Sequence, residues 1–128
     1  MAWNSFFKNL IGGDSSDAAV MENAEDVGMA RNENLSGRVF KKQFEAAEKA
    51  VLLDVRTAGE FSGGTIPGSK NMDFLSPMFS TNVKKLDKDA TYFVFCRSGN
   101  RSGQACKLMH KMGFDVRNLS GGIGDYPT

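Results

Sequence analysis

With 128 residues, 41% of them apolar, and a formal charge of +1, the chain is the right size for one compact domain. Near-neutrality argues against a nucleic-acid partner, which demands a broad basic surface, and gives no reason to expect a membrane. Two cysteines, one histidine and no CxxC pair exclude a disulfide scaffold and leave too few ligands for a zinc site.

Charge is unevenly placed. Residues 1–36 hold two basic against six acidic side chains, a net of −4, and the remainder is +5. Trp3, Phe6, Phe7, Leu10 and Ile11 recur at the spacing of one helix face, and Gly12-Gly13 ends it. A helix this short is marginal alone, so its face needs a surface: its own domain, a protein partner or, less well with only Lys8 opposite, a membrane interface. Residues 12–36 are polar, acidic and without aromatics. Ser15 or Ser16 is placed to cap a weak helix over 17–27, stopped by Gly28, although a partly ordered linker is the plainer reading. Residues 1–34 are therefore expected to form an arm, and 35–128 the domain. There is no apolar run of signal-peptide type in 1–11 and none long enough for a bilayer. The expected compartment is the cytoplasm, where thiols stay reduced.

Beyond the arm the pattern alternates. Lys41 to Lys49 reads as a helix with Phe44 and Ala47 inward. Val51–Val55 and Tyr92–Phe95 are continuous apolar runs, the pattern of strands buried on both faces. Residues 103–112 read as a helix with Ala105, Leu108, Met109 and Met112 on one side and Gly113 as its stop, followed by a short strand, Val116–Leu119. This alternation predicts an α/β fold, a parallel sheet with helices on both faces, whose sites form outside the carboxyl ends of the strands.

The chemistry is expected where the second apolar run ends. Cys96 is followed by Arg97, Ser98, Gly99, Asn100, Arg101 and Ser102, and then by a helix. A tight loop opening into a helix turns several backbone N–H groups, and the positive end of the helix dipole, toward one point. With two arginines added, a cysteine there should be largely thiolate near neutral pH, the form that attacks. The same field would hold an anion and stabilise a persulfide. Either or both arginine side chains are expected on a bound anion, with the N–H groups as the firmer contact. At the first strand end, Asp54 and Arg56 are expected to be structural, Arg56 pairing with a nearby carboxylate such as Glu60.

Four segments together resemble the rhodanese family. Cys96–Ser102 (CRSGNRS) is similar to its active-site loop. Leu53–Thr57 (LDVRT) with Glu60-Phe61, Gly64–Ser69 (GTIPGS) with Asn71, and Asn118–Gly122 (NLSGG) resemble its other signatures, in order. The resemblance covers roughly residues 35–128. It implies a rhodanese-like fold with a parallel sheet of about five strands, without metal or organic cofactor. It also implies a thiosulfate sulfurtransferase: Cys96 takes the outer sulfur of a small anionic donor such as thiosulfate, becomes a persulfide, and yields that sulfur to cyanide or a thiol. Thr65 stands where the family often has histidine, Ala58 where it often has proline, and Tyr126 near a frequent tryptophan.

Cys106, on the helix, is expected to be a small buried apolar residue, and His110 to face solvent rather than act as a base. Two rival readings differ in kind. Cysteine-loop phosphatases and arsenate reductases place arginine six positions after cysteine, whereas here Arg101 is five after Cys96 and Ser102 holds the sixth. A sulfur-relay or protein-binding module would instead recruit its partner through residues 1–34.

Overall fold

A computed structural model describes residues 30–128. The helices expected over residues 3–11 and 17–27 lie outside the described residues. The elements in chain order are β1 (Asn32–Leu35), α1 (Gly37–Ala46), β2 (Ala50–Asp54), α2 (Ala58–Ser62), β3 (Lys70–Asn71), α3 (Phe79–Val83), β4 (Thr91–Phe95), α4 (Asn100–Lys111) and β5 (Asp115–Leu119), closed by a short 3₁₀ turn at Ile123–Asp125. The five strands form one sheet in the order β1-β5-β4-β2-β3, and every neighbouring pair is parallel. The strands that the apolar runs predicted, β2 and β4, pair at the centre from Ala50 opposite Thr91 to Asp54 opposite Phe95.

Alternation along these strands divides the core in two. Leu53, Tyr92, Val94, Cys96 and Val116 point to one face, where Phe79 and Val83 of α3 and Ala105, Cys106 and Met109 of α4 cover them. Leu52, Phe93, Phe95 and Leu119 point to the other, under Phe40 and Phe44 of α1. Phe40 meets Phe93 edge-on, ring centroids 5.4 Å apart, a geometry worth about 1 kcal/mol beyond the area it buries. Helix α1 spans Gly37–Ala46 rather than Lys41–Lys49, because the Ser36 side chain caps it by accepting from the Val39 N–H.

Strand β1 moves the boundary expected after residue 34. Asn32–Leu35 pairs with β5 from Asn32 opposite Val116 to Leu35 opposite Leu119, so residues 32–34 belong to the sheet. An edge strand with alternate residues exposed needs little apolar content, and polar contacts attach this one. Buried Arg117 reaches Glu33 at 3.2 Å and Asp115 at 2.7 Å.

Candidate active site

Strand β4 delivers Cys96 to the carboxyl edge at the centre of the sheet, and Arg97, Ser98 and Gly99 then turn the chain into α4. Helix α4 starts at Asn100. Asn100, Arg101 and Ser102, expected as loop, are therefore its first turn, whose N–H groups have no partner within the helix. Gly99 caps the helix at φ +92°, a left-handed conformation, and a Cβ there would strike the Ser120 carbonyl. Opposite it, Gly122 at φ +79° has no room for a Cβ against the Arg97 carbonyl. The loop and the 120–122 segment thus lie backbone to backbone.

This close packing turns donors onto one sulfur. Cys96 Sγ accepts from the Gly99 N–H at 3.2 Å, the Ser102 N–H at 3.4 Å and the Ser102 hydroxyl at 3.4 Å. Burial pushes the thiol up. The Ser102 hydroxyl and the N–H groups of Ser102, Ser98 and Gly99 outweigh it and hold the thiol below its ordinary value. The sulfur lies below the surface, since Cys96 is fully buried.

The arginines divide differently from expectation. Arg56 does not reach Glu60. It makes a two-pronged pair with buried Asp54, at 3.0 and 2.7 Å, and also donates to the Gly64 carbonyl. Two positions apart across the strand end, Asp54 and Arg56 close on each other locally, while Glu60 is drawn away by its place in the first turn of α2. There Thr57 and Glu60 form a reciprocal cap, and Glu60 turns its carboxylate to Arg101 at 2.8 and 3.2 Å. Hydrogen bonding to Glu60 raises the Arg101 guanidinium, burial opposes it, and the charges of Glu60, Cys96 and Asp73 add to the rise. Arg101 is thus tied beside the nucleophile. Arg97 is exposed and has no ion pair among the described residues.

Around this centre, Asn71 donates to the carbonyls of Asp54 and Arg56 and fixes the end of β2. Burial pushes the Cys106 thiol up to about 12, opposed by the Arg117 charge, so it stays protonated at neutral pH. His110 is exposed on α4. The Asn71 contacts and the backbone fit of Gly122 have no sequence signal beyond their membership of the segments quoted above, because each depends on which strand ends meet.

Residues 37–126 match the rhodanese-like domain family. The chain belongs to that family. It is 35% identical over 89 residues to a putative sulfurtransferase, YtwF, of Bacillus subtilis, covering 70% of this chain and 84% of that protein. A sulfurtransferase of Allochromatium vinosum is 35% identical over 77 residues, covering 59% and 70%. The crystal structure of a rhodanese-related protein from Thermoplasma volcanium superposes with a TM-score of 0.61 at 27% identity, covering 77% of this chain and 95% of that one. Family membership makes sulfur transfer, in general terms, the chemistry of this rhodanese-like domain. Thr65 donates its hydroxyl to the buried Asp54 carboxylate at 2.9 Å. No helix among the described residues is long and apolar enough to cross a membrane.

Proposed function

We propose that this rhodanese-like domain is a thiosulfate-type sulfurtransferase of the cytoplasm, with Cys96 as its nucleophile. In the first half-reaction the Cys96 thiolate attacks the outer sulfur of thiosulfate. A sulfur–sulfur bond forms at Sγ, the one inside thiosulfate breaks, and its electron pair leaves with sulfite. In the second, cyanide or a thiol attacks the outer sulfur of the persulfide and the Cys96 thiolate departs. The observation that carries this reading is the set of donors on Sγ from Gly99 and Ser102, which favours an ionised sulfur before attack and after release. No separate base is needed. Arg97, exposed and without an ion pair among the described residues, is the cation offered to an incoming anion, and Arg101, held by Glu60, adds charge from a fixed place. A buried sulfur under a narrow loop suits a slender terminal sulfur better than a phosphoryl group with three oxygens.

The test is the intact mass of the protein after exposure to thiosulfate. The expected result is a gain of one sulfur atom, mapped to Cys96, reversed by cyanide, absent in Cys96→Ser and retained in Cys106→Ser. A mass gain that survives Cys96→Ser would overturn the assignment.

A sulfur-carrier reading shares the first half-reaction and has a relative in its favour. A putative sulfur carrier protein of Bacillus subtilis, YrkF, is 29% identical over 93 residues. A carrier would load once and release only to its partner, so steady turnover with thiosulfate and cyanide separates the two.

A further inference from the structure

Asn118 lies in the fourth of the family-like segments, and nothing so far gives its side chain a task. It is 3% exposed, on the α4 face of β5. Its Nδ2 donates to Oδ1 of Asn34 on β1 at 2.8 Å and to the Gly99 carbonyl at 3.3 Å. Its Oδ1 is buried without a hydrogen-bond partner among the described residues. A Cβ at Gly103 would sit 3.4 Å from Nδ2, so α4 packs directly over this amide.

We propose that Asn118 is a positioning residue for the nucleophile's cradle: by pinning the Gly99 carbonyl, it keeps the Gly99 N–H aimed at Cys96 Sγ. The proposal rests on the reading of Cys96 as nucleophile. Gly99 is held at both ends, its N–H on Sγ and its carbonyl on Asn118 and the Gly103 N–H. It is also the residue whose unusual φ the loop cannot do without. Without Asn118 the Gly99 carbonyl is held by the Gly103 N–H alone and loses its tie to β5, so the 98–100 backbone can shift with the helix start, and the N–H···S bond is what it would lengthen.

The energetics separate this role from a structural one. A buried acceptor left unpaired costs ~1–3 kcal/mol, so packing alone would be served better by an apolar side chain of the same size. Removing the amide strands nothing, because the Gly99 carbonyl keeps Gly103, and exposed Asn34 has solvent and faces a polar cleft of about 290 Å³. Asn118→Leu should therefore leave stability nearly unchanged while impairing the sulfur.

The experiment is the pH profile of iodoacetamide alkylation at Cys96 in the full chain, with thermal unfolding alongside. In Asn118→Leu the titration midpoint should rise and alkylation at neutral pH slow by about threefold to tenfold, the share of one charge-assisted hydrogen bond. Asn34→Ala, which leaves the Gly99 contact in place, should keep the wild-type midpoint. A wild-type profile in Asn118→Leu overturns the proposal and leaves the Cys96 reading standing, whereas an ordinary thiol in the wild type overturns that reading first. If Asn118→Leu does not fold, nitrogen-resolved NMR of the wild type decides. The Asn118 side-chain amide resonances should move with the Cys96 titration, and resonances indifferent to it overturn the proposal.

Discussion

Glu60 and Arg101 carry opposite charges in the first turns of α2 and α4, and each sets the other's state. Arg101's hydrogen bond, followed by that of the Thr57 N–H, lowers the Glu60 carboxyl to about 2 from an ordinary 4.5, with burial opposing. A carboxyl whose folded value is depressed stabilises the fold while ionised. Its contribution is complete above about 4.5 and is lost as the pH falls toward about 2. The pair is partly exposed, so water screens it and the effect is modest. In Glu60→Gln that stretch of pH dependence should vanish. Thermal midpoints of wild type and variant should converge as the pH is lowered across this range. A gap that stays constant through it would count against the ion pair. Cys96 shows the same competition in the same sense: covering the sulfur disfavours its charge, and the aimed donors win.

Helix α4 contributes to the site through where it starts rather than through what it buries. Beginning at Asn100 instead of residue 103, it offers the Ser102 N–H and hydroxyl to the sulfur from its open first turn. That start depends on Gly99 as left-handed cap. Gly99→Ala would impose a positive φ on a side chain and drive its Cβ into the Ser120 carbonyl. A loss of about 2 kcal/mol or more in denaturant unfolding is expected, together with a raised Cys96 titration midpoint. If the variant keeps both stability and midpoint, the cap is not what organises the cradle. Helix α2 plays a parallel part, since its capping box orients Glu60 toward Arg101 while its own residues stay outside the core.

At the scale of the molecule, the site sits where the two strands buried on both faces end, and the remaining strands brace it. Edge strand β1 joins the sheet through its backbone pairing with β5, so a truncation at residue 34 would cut into the sheet. Deletion of residues 1–29 leaves the strand whole. We expect it to keep thiosulfate turnover within about threefold of the full chain. Lost turnover in a folded deletion would show that the arm helps to build the site, and would favour recruitment through it.

The order of local patterns was enough for the family, for the α/β alternation and for the strand–turn–helix that carries Cys96. Apolar runs, helical spacing and a glycine among small polar residues act within a few positions of each other, so a linear chain displays them. Which charges pair was decided only by folding. Glu60 crossed to Arg101 because the ends of β2 and β4 lie side by side in the sheet while being far apart in the chain, and Arg56 closed instead on Asp54, two positions away. The polar edge strand stayed hidden for a related reason. Asn32–Leu35 has little apolar signal of its own and becomes a strand only where β5 and the buried Arg117 give it partners.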